Sequence, residues 1–162
     1  METLTAIRTK RSVRTYTDQP VPEEIIRQIL DAGRRAQSSK NTQPWQFVIV
    51  RERETLHQLA ECGRFAAHIA GAAFVIALVS AREWAFDIGQ VAAYLQLAAW
   101  DLGVSSCIAS MYEPDRAKKL LGVPPEFFLE ITLAMGYAAE PPHKPKIGGR
   151  KSVDEITHWD KW

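Results

Sequence analysis

The sequence predicts a single domain of mixed helices and strands, on three observations. Segments with helical apolar spacing alternate with short runs that read as strands. At 162 residues the chain is the size of an ordinary domain and can bury most of its apolar surface in one core. No Gly-x-Gly-x-x-Gly or Walker sequence follows any strand-like run, which sets aside the doubly wound nucleotide fold.

A short helix precedes Lys10. Pro20 and Pro22 then bracket the start of a longer one, which places Ile25, Ile26, Ile29, Leu30 and Gly33 at helical spacing and Glu23 and Glu24 in a favourable first turn. It ends in a polar stretch from Gln37 to Pro44, a loop rich in hydrogen-bonding groups, and residues 45–50 follow as a strand. A further helix covers residues 54–61 and closes at Gly63, and residues 73–79 have the continuous apolar character of a buried strand. Residues 87–102 form the most apolar helix, carrying Val91, Leu95, Ala98, Ala99 and Leu102, with Gly103 placed as its C-cap. Strands over residues 105–109 and 129–136 flank a helix over residues 114–121 that ends at Gly122. The stretch 141–162 opens with Pro141, Pro142 and Pro145, passes Gly148 and Gly149, and then carries Val153, Ile156, Trp159 and Trp162. Side chains of that kind are costly on a free tail, so the tail is expected to dock, a partner subunit being one candidate.

Composition removes several function classes. Apolar and charged fractions of 46% and 24% are those of ordinary globular proteins, and a formal net charge of +1 supplies no field for nucleic acid or an anionic membrane. The apolar run over residues 69–80 is too short to cross a bilayer, which takes about 20 residues, and the N-terminal stretch lacks the apolar core of a signal peptide. A cytoplasmic location is the expectation. Cys62 and Cys107 show no Cys-x-x-Cys or Cys/His spacing and the four histidines are scattered, against structural zinc. Cys107, in an apolar stretch, reads as a core thiol rather than a nucleophile.

Two segments can carry chemistry. Lys10-Arg11-Ser12-Val13-Arg14-Thr15-Tyr16 concentrates cations and hydroxyls of the kind that hold a phosphate monoester, although a solvated basic run has the same composition. Ser38-Ser39-Lys40-Asn41-Thr42-Gln43-Pro44-Trp45 offers amides and hydroxyls to a polar heterocycle or polyol, although an ordinary connecting loop does so too.

Taken together these segments resemble the nitroreductase family of FMN enzymes, with its Arg/Lys-Arg-Ser-x-Arg-x-aromatic and Ser-Ser-x-Asn-x-Gln-Pro-Trp signatures. The resemblance continues through Asp87-x-Gly89, Leu97-Ala98-Ala99, Leu102-Gly103 and Met135-Gly136-Tyr137 to Gly149-Arg150-Lys151-Ser152 and His158-Trp159. It implies an α+β fold with a central, mostly antiparallel sheet between helical layers, a three-layer sandwich, and with residues 141–162 exchanged as an arm in a homodimer. It implies FMN as cofactor, with NADH or NADPH as electron donor. Lys10, Arg11 and Ser12 would lie at the phosphate and ribityl end, with Arg150 returning to the same phosphate, and Arg14 at the N1 and O2 edge, where it would raise the reduction potential. Ser38, Ser39, Asn41 and Gln43 would contact FMN, partly across the dimer interface, and Ala109 and Ser110 would direct backbone amides at N5 and O4.

The implied activity is ping-pong hydride transfer through flavin N5 to a small-molecule acceptor such as a nitroaromatic or quinone. The same scaffold also accommodates dehalogenation, enone reduction, flavin fragmentation or flavin binding without turnover. Three positions depart from the family pattern. Gln37 stands where many relatives have proline; Gly148 stands where some carry a second phosphate lysine, which Lys146 would have to replace; and the region between Arg82 and Asp87 is too short for the helical excursion that builds the substrate pocket of larger members. Trp84, Phe86, Tyr94, Trp100 and Tyr112 are read as core in preference to pocket lining, and Asp87 as a helix cap in preference to an acid or base.

Overall fold

A computed structural model describes residues 1–81, 85–142 and 149–162. Its helices are α1 (Thr3–Thr9), α2 (Glu23–Gly33), α3 (Arg53–Ala60), α4 (Ala85–Asp101) and α5 (Pro114–Leu121), and its strands β1 (Trp45–Val50), β2 (Phe74–Ser80), β3 (Ser105–Ser110) and β4 (Phe128–Gly136).

Strand β2 decides the layering. Successive side chains of a strand project to opposite faces, so Phe74, Ile76 and Leu78 enter one core and Val75, Ala77 and Val79 another. The first core is closed by Ile26 and Ile29 of α2 and by Val91, Ala92, Leu95 and Ala99 of α4. The second is closed by Leu56 and Leu59 of α3, Ala117 of α5 and the intervening Ala66 and Ile69. The result is helix, sheet, helix. The strand order is β1-β2-β4-β3 and each neighbouring pair is antiparallel, as the resemblance implied. The unbroken apolar run of β2, a pattern commoner in parallel sheets, here marks an inner antiparallel strand covered on both faces. Beyond the sheet, Ser12 makes a single parallel bridge to Ser106 on β3, and Tyr16 an antiparallel one to Ala138.

Element ends follow local chemistry. Helix α3 begins one residue earlier than the apolar spacing indicates because the Glu52 carboxylate accepts from the backbone N–H groups of Glu54 and Thr55. Helix α4 begins at Ala85, so Asp87 sits inside the first turn instead of capping it; only 3% exposed, its carboxylate keeps one oxygen, Oδ2, without a hydrogen-bond partner. Gly103 and Gly122 take the left-handed backbone expected of residues that end α4 and α5, with φ of 77° and 66°.

The aromatic expectation is corrected. Phe86, Tyr94 and Tyr112 are exposed, and Trp100 is half-buried with its indole N–H donating to Thr9 Oγ1 at 3.0 Å. The core stripe of α4 runs through Ile88, Val91, Ala92, Leu95 and Ala99, and its aromatic residues fall outside it. Trp84 lies outside the described residues. Cys62 and Cys107 are buried free thiols, and burial is the main cause pushing both thiols up from their ordinary pKa, as suits inert core positions. No helix among the described residues is long and apolar enough to cross a membrane.

The α2–α4 contact depends on Gly33. A Cβ there would lie 2.7 Å from Leu95 Cγ and closer still to Cδ2, and Leu95 is fully buried. Gly33→Ala is expected to destabilise the fold by about 1–3 kcal/mol through overpacking, in urea unfolding, and Leu95→Ala should cost less in the Gly33→Ala chain than in the native one. A Gly33→Ala variant of unchanged stability would refute this contact.

Candidate functional site

The open outer edge of β3 organises the site. The chain leaves α1 at Lys10, crosses that edge at Ser12 and is fixed there by Val13, whose N–H donates to Ser106 O at 3.1 Å. Tyr16 anchors the far end: its hydroxyl lies 2.7 Å from Val13 O and 3.1 Å from Ala134 O, and its ring packs on the bare Gly136. Burial raises the Tyr16 phenol well above its ordinary pKa, so it stays a neutral donor. Between these anchors Arg14 projects into a groove of about 360 Å³ lined also by Arg64, Phe65, His68, Ile108, Ala109, Ser110 and Tyr112.

The far wall of the groove is tied to the end of β3. Cys62 O accepts from the backbone N–H groups of Tyr112 at 2.8 Å and Glu113 at 2.9 Å, and a Cβ on Gly63 would come within 2.7 Å of Ser110 O. On the inner side, the buried Thr132 hydroxyl donates to Ala109 O at 3.4 Å. The backbone of Ala109 and Ser110 is therefore held from several directions, which suits groups meant to meet a ligand through main-chain atoms.

The cations of this edge have no carboxylate within salt-bridge distance, a state that among the described residues they share with Arg8, Lys40, Arg53, Lys119, Arg150, Lys151 and Lys161. Arg27, Arg34, Arg35, Arg51 and Arg116 each lie within salt-bridge distance of a carboxylate, whereas among the described residues Lys10, Arg11, Arg14 and Arg64 have no such partner. Burial lowers the Lys10 pKa from its ordinary value, the cost of holding an ammonium with no counter-charge. The Arg11 guanidinium turns back onto α1 and donates to Arg8 O and Lys10 O, both at 2.8 Å. An anionic, planar ligand fits this donor set: cations without carboxylates at one end and an open strand edge at the other.

His68 is the half-buried titratable group of the groove. Its pKa is lowered by burial first and by Arg14 second, against the backbone carbonyls of Cys107 and Phe65, and its Nε2 is buried without a partner in hydrogen-bond geometry. A folded-state pKa below the unfolded one means that acid protonates the unfolded chain preferentially. The stability His68 contributes is complete above about pH 6.5, the ordinary histidine value, and is lost as pH falls through its lower folded pKa. Thermal unfolding followed from pH 7.5 to 5 should show a steeper acid decline in the native chain than in His68→Gln; parallel curves would refute this assignment.

Of the residues that the signatures and the resemblance mark, Arg14, Ala109 and Ser110 meet in the groove, Ser12 bridges to the same strand edge, and Lys10 and Arg11 lie between that bridge and the end of α1. The loop with Ser38, Ser39, Asn41 and Gln43 is elsewhere. It leads into β1, the opposite edge strand, and among the described residues no hydrogen bond joins it to Arg14, Ala109 or Ser110. Its backbone is strained: Lys40, Asn41 and Gln43 have φ of 53°, 53° and 46°, a region that costs most non-glycine side chains about 1 kcal/mol or more. Ser38 Oγ closes the loop by accepting from Gln43 N–H at 2.9 Å, and Gln37, in place of the family proline, donates to Gln90 Oε1 at 2.9 Å and so ties the loop to α4. Arg150 is exposed on the tail, and Lys146 and Gly148 lie outside the described residues. Arg64, Phe65 and His68, which also line the groove, lie outside the sequence signatures; an aromatic beside a cation directly after the turn glycine Gly63 is the signal that marks them.

Comparison with known proteins agrees with this architecture. The nitroreductase family model matches residues 7–77 and 62–137. A protein of Methanothermobacter thermautotrophicus, provisionally named an NADH dehydrogenase/NAD(P)H nitroreductase, is 33% identical over all of this chain and 88% of its own length. An NADH dehydrogenase of Thermus thermophilus is 29% identical over 86% of this chain and 88% of its own length. Among solved structures, an FMN-dependent nitroreductase of Clostridium difficile superposes with a TM-score of 0.88 at 25% identity, covering 98% of this chain and 99% of that one. By the extent of the family match and of the first of these relatives, the chain belongs to the nitroreductase family.

Proposed function

We propose that this chain is an FMN-dependent oxidoreductase that moves a hydride from NADH or NADPH to a small acceptor, such as a nitroaromatic or quinone, in a ping-pong sequence. The observation that carries this reading is Arg14, without a carboxylate partner among the described residues, in a groove along the open edge of β3. Bound FMN would supply the redox chemistry, accepting the hydride at N5 and passing it on.

The chain's own residues bind and tune. Lys10, Arg11, Ser12 and Arg150 would hold the phosphate, each charge-assisted contact contributing about 1.5–3 kcal/mol. The dianion would supply the counter-charge that Lys10 lacks. Arg14 would face the N1 and O2 edge, favouring negative charge there and raising the reduction potential, while a His68 kept neutral by burial leaves that task to the guanidinium. The main chain of Ala109 and Ser110 would orient the ring at N5 and O4.

Ser38, Ser39, Asn41 and Gln43 would come from a partner subunit. This rests on their place at the β1 edge, and on the tail, whose Val153, Ile156, Trp159 and Trp162 are exposed although its local structure is well formed. There Ser152 and Glu155 exchange side-chain-to-backbone hydrogen bonds of 2.7 and 3.2 Å in a capping box, and His158 stacks on Trp162 at 4.3 Å. A pre-formed arm with an apolar face suits docking on a second copy, which makes the chain a homodimer with residues 141–162 as the docking arm.

The direct test is the visible spectrum of the purified protein, followed by anaerobic titration with NADH and NADPH and by turnover with a panel of acceptors. A yellow protein bleached by a nicotinamide and reoxidised by an acceptor is expected. A colourless protein that FMN cannot reconstitute, or one that oxidises neither nicotinamide, would overturn the proposal. At the phosphate end, Arg11→Ala and Arg150→Ala should weaken FMN by roughly tenfold or more while changing riboflavin binding little; equal losses for both ligands would place these arginines elsewhere.

A further inference from the structure

The FMN reading uses Arg14, Ala109 and Ser110 but leaves Arg64, Phe65 and Tyr112 on the same groove without a task. Resting on that reading, we propose that these three residues recognise the electron acceptor and select a planar aromatic anion, such as an aromatic carboxylate.

The argument starts from exposure. Phe65 is 82% exposed and Tyr112 71%, an unfavourable placement for aromatic rings unless something apolar and flat covers them. Neither ring sits on a loose loop. The Cys62–Gly63 turn is bonded through Cys62 O to the N–H groups of Tyr112 and Glu113, and Gly63 is packed on Ser110 O, so both rings are registered to the strand end where the flavin edge would lie. Arg64 stands over Phe65 with its guanidinium carbon 5.6 Å from the ring centroid, a cation–π arrangement that leaves in-plane N–H groups free for a carboxylate.

Charge sets the class of ligand. No carboxylate is among the groove-lining residues, burial keeps His68 from adding charge, and Arg14 faces the flavin edge, so Arg64 is the cation left for a second ligand. The chain as a whole carries only +1, so this positive groove is a local arrangement. A neutral aromatic would gain from the rings alone, an aromatic anion from the rings and the guanidinium together.

The experiment compares matched probes on the FMN-loaded protein: kcat/KM for 4-nitrobenzoate against 4-nitrobenzyl alcohol, and calorimetric dissociation constants for benzoate against benzyl alcohol. The native chain should favour the carboxylate about tenfold in both measurements; Arg64→Gln should reduce the preference to about twofold or less, and Arg64→Lys should retain most of it. Phe65→Leu should weaken both probes alike. Absence of a preference in the native chain, an equal effect of Arg64→Gln on both probes, or a loss falling on FMN affinity or on the KM for NADH or NADPH would each overturn the proposal. A colourless protein would refute the flavin reading instead, and the benzoate and benzyl alcohol titrations would still decide whether the groove selects anions.

Discussion

Deleting the chain from Ser152 onward is expected to convert a flavin-retaining dimer into a monomer that loses FMN on gel filtration. Val153, Ile156, Trp159 and Trp162 make no apolar core of their own, and Trp159 and Trp162 are 86% and 100% exposed. A large apolar side chain that becomes fully buried contributes about 1.5–3 kcal/mol, so the four side chains of one arm together are comparable to the net stability of a typical domain. Ordering costs reduce this, but an increase of at least a hundredfold in the dimer dissociation constant is the expected scale. Flavin loss should accompany it because, in the proposed shared site, Ser38, Ser39, Asn41 and Gln43 are supplied by the partner. Sedimentation velocity and the flavin-to-protein absorbance ratio read the two effects separately. A truncated chain that is monomeric and fully flavin-loaded would refute the shared site, and one that stays dimeric would refute the docking arm.

The fold was legible where one physical signal dominated. Strand β1 and helix α5 have the bounds that apolar alternation, Pro114 and Gly122 indicate. Glycine with positive φ ends α4 and α5 as its lack of a Cβ predicts. Legibility failed where the cause is a side chain acting on backbone or a contact distant in sequence. Glu52 is not a favoured cap type, so the true start of α3 was hidden, and Asp87 is the third residue of α4 and not its cap because the helix starts at Ala85, ahead of the apolar spacing. The antiparallel pairing of the strands is a long-range property and came from family resemblance, not from periodicity.

The site was legible in part for the same reason. Arg14 belongs to a family signature, Ala109 and Ser110 are placed by their position on the strand that follows Gly103, and the three share a groove. Arg64 and Phe65 belong to no such segment, and only the hydrogen bonds from Tyr112 and Glu113 to Cys62 bring their turn against the end of β3. The aromatics misled because a hydrophobicity pattern records how apolar a residue is and not which way its face of the helix points once α2 has claimed the opposite one. Phe86 and Tyr94 of α4 fall outside its core stripe and are exposed.

Gly63→Val is the substitution expected to damage the groove most. Where Gly33 faces the movable end of a leucine, a Cβ at position 63 would meet Ser110 O at 2.7 Å and Ala66 Cβ at 2.6 Å, the first of these being main chain that no rotamer change can clear. Relief requires the turn and the strand end to separate, which strains the bonds of 2.8 and 2.9 Å from Tyr112 and Glu113 to Cys62 O. Overpacking costs about 1–3 kcal/mol and each weakened hydrogen bond about 1, giving a loss of roughly 3–5 kcal/mol, or on the order of 10 °C in Tm for a chain of this length. Displacing Ser110 also moves the main chain proposed to meet N5 and O4, so FMN should dissociate from any variant that still folds. Gly63→Ala combined with Ala66→Gly separates the causes, because it removes the side-chain contact and leaves the carbonyl contact in place. Partial recovery of Tm without recovery of FMN affinity is the expected result; full recovery of both would show that the Ser110 carbonyl is not what makes position 63 a glycine.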